Sequence, residues 1–453
     1  MTIAHDLTQP HTVAALFARC GLRASMRCAL AVSGGSDSTA LMLLFAGWLR
    51  QSGQEAGRHT VLTVHHALRA GSAAEAQEVA AQAALLGFQY ATLEWEGPKP
   101  STGIQAAARS ARYQLMGAYM RANGVAVLLT GHTRDDRAET LLMRLARGSG
   151  LDGLAGMSPR LGFRDLGLCD LGLDDMDIAR PLLEVSRAQL RSLLQARGIG
   201  WIDDPSNQAQ EFERPRLRAA RAHLDELGLN DAMLTLSATR LLRARRGLER
   251  AVDDFCAPAS GGAVSVDPSG YILIDRSRLQ ALEEEIALRV LRRSIVAAGG
   301  EARLVSLAKF ESLAASVWAA GAEPGKWTLA RAMVTLREDA ITIEREPGRA
   351  PLPRLQLAAG AQAYWDGRFR IKVGATTSSG LVEVRPLGED AARDFLKSQD
   401  GSTTRPPLNA AALAPSFWQG DRLRAAPTIG FWANQDDRGA LEAEFIWAAR
   451  GDL

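Results

Sequence analysis

Cysteine is scarce in this chain. Four residues, Cys20, Cys28, Cys169 and Cys256, are scattered over 453 positions with no CxxC pair. That pattern excludes a zinc ribbon, an iron–sulfur site or a disulfide framework, and buried reduced thiols are expected instead. Long apolar runs are missing too. The longest, around Leu41 to Leu49, contains Gly47 and is too short to span a bilayer. Met1 to Pro10 lacks a basic stretch followed by an apolar one, so no signal peptide is expected. These absences point to a soluble, cytoplasmic protein with no membrane partner. An excess of charge of one sign is also missing. The net charge is only +2, so bulk charge announces no nucleic-acid partner. Arginine far outnumbers lysine. That skew suits pairing with phosphate and stacking on bases, and a biased genome composition produces it equally well.

What is present suits a globular protein of two to four domains, with 47% hydrophobic and 23% charged residues. Short apolar runs alternate with amphipathic stretches in the first part. Strands are expected at Arg27 to Val32, Thr60 to His65, Phe88 to Trp95 and Val125 to Thr130. Helices are expected at Ser38 to Arg50, Ala73 to Leu86, Ile104 to Asn123 and Arg134 to Arg147. Such alternation implies an α/β fold with a parallel sheet covered on both faces, whose ligands bind at the carboxyl ends of the strands. Gly162 to Ile178 is Gly-, Leu- and Asp-rich and reads as a loop or insertion. After Pro215 the pattern is helical with Arg-rich faces to about Ser316, and Trp327 to Arg345 reads as strands. Three prolines in Glu346 to Arg354 mark a linker, and a small mixed α/β module follows. The expected parts are 1–218, a mostly helical 219–345, and 346–453.

The strongest motif is Ser33-Gly34-Gly35-Ser36-Asp37-Ser38, between the first strand and its helix. Paired glycines allow a sharp turn that exposes backbone N–H groups. The serines add hydroxyls and the helix start adds the positive end of its dipole, making a cradle for phosphate. No Lys follows at Walker A spacing. Asp37 would repel phosphate unless a cation intervenes, which suggests Mg²⁺.

The hexapeptide resembles the SGGxDS loop of N-type ATP pyrophosphatases, which cleave ATP between its α and β phosphates to form adenylates. Val64-His65-His66-Ala67-Leu68-Arg69 resembles a VDHGLR segment, with His65 replacing the acid and Ala67 the glycine. Gly103 to Arg109, with Arg112-Tyr113, resembles a second block, and Gly131 to Thr140 a GHxxDDxxET block extended by Arg147 to Leu154. Asp204-Pro205-Ser206-Asn207 with Arg214, Arg216 and Arg218 resembles a fifth. Together, over roughly residues 28–218, these blocks resemble the tRNA(Ile)-lysidine synthetase family.

The resemblance implies ATP and Mg²⁺, an isoleucine tRNA with a CAU anticodon, and free L-lysine. It places ATP on Ser33 to Ser38 and at His65, with His65 and His66 where adenine or ribose would sit. It implies catalytic roles for Asp37, Arg109, His132 and Asp136, with Asp37 and Asp136 on the metal. Asp135, Asp136 and Glu139 could hold Mg²⁺ or the lysine ammonium, and by themselves are equally well read as an acidic helix cap. His132 could orient phosphate or act as a base. Arg112, Arg144, Arg147, Arg214, Arg216 and Arg218 are the expected tRNA contacts. The patch of Arg240, Arg243, Arg245, Arg246 and Arg250 suits RNA and a solvated helix face equally. A homodimer is left open. Rival readings are a tRNA thiolase on the same fold and a tRNA-binding protein without catalysis. A thiolase usually needs catalytic cysteines, and none falls within the recognised blocks.

Overall fold

The computed structural model describes residues 6–65, 72–97, 99–100, 102–163, 176–203, 213–258, 261–300, 305–319, 323–348, 350–375, 380–398 and 405–447. The chain divides into two compact units, Met1–Arg245 and Arg246–Leu453.

The first unit opens with α1 (Pro10–Ala18), then alternates β1 (Cys28–Ala31), α2 (Ser36–Gln51), β2 (Thr60–His65), α3 (Ser72–Leu85), β3 (Gln89–Glu94), α4 (Ile104–Ala122), β4 (Val127–Thr130) and α5 (Arg134–Leu145). There follow α6 (Leu151–Leu154), β5 (Arg160–Gly162), β6 (Asp177–Ala179), α7 (Arg187–Ala196), α8 (Glu213–Ala219), α9 (Arg221–Glu226) and α10 (Asp231–Cys256). The sheet order is β3-β2-β1-β4-β6-β5, parallel except for the β5–β6 pair.

The central strands are buried on both faces, and their side chains alternate between two cores. Cys28, Leu30, Val61, Val127 and Leu129 join residues of α1, α2 and α7 on one face. Ala29, Leu62, Leu128 and Ile178 join Tyr113, Met116 and Met120 of α4 on the other. Ala31 pairs with Thr130, so the connections after β1 and β4 leave the sheet at one level. Strand order reverses there, and in sheets of this kind the crevice between two such connections is where ligands bind.

In the second unit, β7 (Val264–Val266), β8 (Ile272–Asp275), α11 (Arg276–Gln280), α12 (Glu284–Gly299), α13 (Leu307–Ala319), β9 (Gly325–Leu329), β10 (Ala332–Leu336) and β11 (Ala340–Arg345) form an antiparallel sheet packed against helices. The strands β7 and β8 add to those read at Trp327 to Arg345. Beyond them lie β12 (Leu355–Leu357), β13 (Gln362–Trp365), β14 (Phe369–Val373), β15 (Val382–Pro386), α14 (Glu389–Ser398), α15 (Leu408–Ala412), β16 (Pro415–Gln419), β17 (Arg422–Ala426), β18 (Phe431–Trp432) and β19 (Leu441–Phe445). They form a five-stranded and a three-stranded sheet around Trp365, Phe369 and Phe417. At the β13–β14 turn, the fully buried Asp366 carboxylate pairs with Arg331 (2.9 Å), Arg345 (2.9 Å) and Arg368 (2.7 Å). Arg345 also donates to the carbonyls of Arg331 and Glu346, and Arg368 to that of Leu413.

Among the described residues, no helix is long and apolar enough to cross a membrane.

Candidate active site

The loop from Ser33 to Ser38 ties itself into shape. The Ser33 amide donates to the Ser38 hydroxyl (3.2 Å), which donates to the Gly35 carbonyl (3.1 Å). The Thr39 hydroxyl reaches the Gly34 carbonyl (3.2 Å). Gly34 has φ +84°, and a β-carbon there would lie 2.4 Å from Ile202 Cδ1. The Ile202 amide donates to the Gly34 carbonyl at 2.9 Å. Gly35 caps α2 without a side-chain bond, leaving the first amides of the helix to an anion.

Gly131 opens the connection after β4. A β-carbon there would sit 3.0 Å from the backbone carbon and oxygen of Asp37 and from Ser38 Cα, so a larger residue would push the two connections apart by a few tenths of an ångström. Thr130 Oγ1 lies 2.8 Å from His132 Nδ1, which fixes the imidazole beside the crevice. Thr133 then starts α5 with a capping box: Asp136 Oδ2 accepts from the Thr133 amide (2.8 Å) and hydroxyl (2.9 Å). One carboxylate oxygen therefore caps the helix and leaves the other to face the crevice. The cap reading and the site reading of this acid are compatible.

Arg187, at the first position of α7, gathers the acids. Its Nε donates to Asp37 Oδ2 (2.9 Å), its Nη2 to Asp136 Oδ1 (3.1 Å), and its backbone amide to Asp135 Oδ2 (2.9 Å). Burial alone would lower this guanidinium's pKa. The charges of Asp136, Asp37 and Asp135 and the hydrogen bond to Asp37 reverse that and raise it. Asp37 is raised by burial and by the charge of Asp136, with Arg187 opposing. Sequence reasoning missed Arg187. Its signal was Ser186-Arg187-Ala188-Gln189, a capping box ahead of Leu190, Leu193 and Leu194.

Glu139 lies elsewhere. Its buried carboxylate takes Arg218 Nε at 2.6 Å and Nη2 at 3.3 Å, so an expected RNA contact is held by an expected cation ligand. His65 Nδ1 lies 2.7 Å from Glu94 Oε2 on the neighbouring strand. Arg109 and Arg112 are exposed on α4, Arg109 with its guanidinium 5.1 Å from the Tyr113 ring centre. Arg144 Nη1 donates to the Gly153 carbonyl (2.7 Å), and Arg147 and Arg216 are exposed. His66 to Arg69, Asp204 to Asn207, Cys169 and the Arg214 side chain fall outside the described residues.

Among the described residues, no group of three or more His, Cys, Asp or Glu is gathered to hold a metal. Asp37 and Asp136, brought to one guanidinium, still suit Mg²⁺, which takes one or two carboxylates alongside substrate phosphates. Cys20, Cys28 and Cys256 are buried free thiols. Burial pushes them up to about 11, 12 and 11 respectively. Cys28 begins β1, at the opposite end of the sheet from the crevice, so it is no thiolate nucleophile there.

A family model described as a PP-loop domain matches residues 7–222. The tRNA(Ile)-lysidine synthase of Mesorhizobium japonicum is 37% identical over 397 residues, covering 85% of this chain and 80% of that protein. That of Bradyrhizobium diazoefficiens is 41% identical over 351 residues, covering 72% and 92%. That of Brucella anthropi is 34% identical over 421 residues, covering 92% and 88%. With the nucleotide loop and the acidic helix meeting at the switch point, this likeness over most of both chains makes the protein a member of the tRNA(Ile)-lysidine synthase family.

Proposed function

We propose that the protein, acting in the cytoplasm, ligates lysine to C2 of the wobble cytidine of the CAU-anticodon isoleucine tRNA, changing its codon from AUG to AUA. The observation that carries the reading is the convergence of Asp37 and Asp136 on Arg187 at the switch point, in a chain of this family.

A ring carbonyl is a poor leaving group. The C2 oxygen attacks the α-phosphorus of ATP and pyrophosphate departs. The lysine ε-amine, having lost its proton, then attacks C2, and AMP departs with the oxygen. In this reading the Ser33–Ser38 amides and hydroxyls hold the phosphates, and His132, steadied by Thr130, orients phosphate or accepts the proton. Asp37 and Asp136 would hold Mg²⁺, which neutralises phosphate charge when bound, while Asp135 lies beside them for the lysine ammonium. We assign residues 1–218 to catalysis, 219–345 to tRNA recognition and 346–453 to a tRNA-binding module.

The test is nucleoside analysis of CAU-anticodon tRNA after incubation with protein, ATP and labelled lysine. Lysidine and AMP in equal amounts are expected. A requirement for a sulfur donor would replace this reading with the thiolase one.

A further inference from the structure

A second group of charged side chains stands two strands along the sheet from the nucleotide loop. Arg180 follows β6 and is 4% exposed. Its Nη1 donates to the Ser158 carbonyl at 3.0 Å, while its Nε is buried with no acceptor. The helices α5 and α10 pack through Ala138, Leu141, Leu234 and Ala238, and across that packing Arg144 of α5 feels the charge of the buried Arg245 of α10. Arg109 and Arg112 approach from α4, keeping water-accessible surface.

Among the described residues, Arg109, Arg144 and Arg180 form no ion pair with a carboxylate. Each cation instead feels its like neighbours. Burial lowers Arg144, and the charges of Arg109 and Arg245 lower it further. Burial lowers Arg180; Tyr113 opposes this, and Arg109 and Arg144 add to it. Arg112 is lowered by the protein crowding it and by Arg109. A buried guanidinium without a counter-charge is unfavourable, and several within mutual reach are more so. An arrangement of this kind is relieved by an anion from outside. Guanidinium forks match phosphate oxygens two at a time.

We propose that Arg144, Arg180 and Arg245 at the base, with Arg109 and Arg112 towards solvent, form a phosphodiester site for the backbone of the substrate RNA, distinct from the loop that takes the triphosphate. The site's chemistry is phosphate recognition. Naming RNA as its source rests on the function proposed above.

The test compares full-length wild type with Arg180→Met and Arg144→Met, using an anticodon stem-loop RNA and, separately, ATP and pyrophosphate. RNA affinity should fall about tenfold in each variant. The slope of log K against log salt should shrink by roughly 0.7 for each phosphate that is no longer neutralised. Affinity for ATP and pyrophosphate should stay within twofold. The unliganded Arg180→Met protein should melt no lower than wild type, because an uncompensated charge has gone; a purely structural arginine would lower it. Arg180→Lys, which keeps charge but loses the fork, should bind RNA with intermediate affinity, and it carries the test if the Met variant fails to fold. Loss of pyrophosphate affinity with RNA affinity intact would make this a nucleotide site and overturn the proposal, as would unchanged RNA affinity in every variant. Wild type that binds RNA but forms no lysidine would overturn the function and leave the site standing. Wild type that binds no RNA would overturn both.

Discussion

Around Asp366 three guanidiniums share one fully buried carboxylate, and the remaining donors of Arg345 and Arg368 go to backbone carbonyls. Around Arg180 the arginines run from buried to exposed, yet Arg180, Arg144 and Arg109 pair with no carboxylate among the described residues. The first cluster is complete within the protein, and its charges serve the fold. In the second, three cations have no carboxylate among the described residues, and on the proposal above an RNA phosphate meets them. Burial of arginine is therefore no guide to its purpose; the presence of the counter-charge is.

The comparison is broken most directly at Asp366. Asp366→Asn would leave three cations around a neutral amide, and removal of one partner from a buried pair costs about 3–5 kcal/mol. Chemical denaturation of the full chain should show that loss. A wild-type midpoint would mean that the two clusters do not differ as described.

His59 sharpens the contrast by a third route, since it is buried by staying uncharged. It is 2% exposed, and its Nδ1 accepts from the Cys28 amide at 3.2 Å. Burial first, then the charges of Arg58 and Arg27, lower it from 6.5 to about 4. Above pH 6.5 both folded and unfolded chains carry it neutral. Between pH 6.5 and 4 the unfolded chain takes a proton that the native chain refuses, so stability is lost as pH falls, by about 3 kcal/mol in all. His59→Asn, which keeps an acceptor for Cys28, should flatten that stretch of the stability–pH curve. An unchanged curve would place the titration elsewhere.

Arg187 lies between the two extremes, a cation fully paired but at a working site. Arg187→Met should reduce ATP–pyrophosphate exchange about 100-fold, or about 2.7 kcal/mol of barrier. Wild-type exchange would mean that Asp37 and Asp136 do not need it.

The smallest effect is expected from supplying the missing counter-charge. Arg109→Glu places a carboxylate beside Arg112, Arg144 and Arg180. It should raise the unliganded protein's stability by up to about 1 kcal/mol while weakening RNA binding. A fall in both would argue against an uncompensated cluster.

Much of the first unit was readable because glycine and serine punctuate it. The strand Thr60–His65 falls where a short apolar run puts it, and Ser36–Gln51 starts within the phosphate loop. The β6–α7 region was not readable. A three-residue strand carries too little periodicity to stand out beside a Gly- and Leu-rich stretch. Arg187 was hidden for a different reason. Its partner Asp37 is 150 positions away, and a cation at a helix start opposes the helix dipole, so local rules count it as a misfit. That misfit was itself the usable sign. Glu139 was grouped with Asp135 and Asp136 through the GHxxDDxxET resemblance, and only the chain's return through α8 reveals Arg218 as its partner.

The hydrogen bond from the Ile202 amide to the Gly34 carbonyl doubles as a clock. Deuterium can replace that amide proton only while the segment is lifted from the nucleotide loop, an opening far smaller than global unfolding. Its exchange rate, followed at single-amide resolution, therefore times the breathing of the loop. A ligand that binds only the closed loop must slow that clock in proportion to its occupancy, whether or not any chemistry follows.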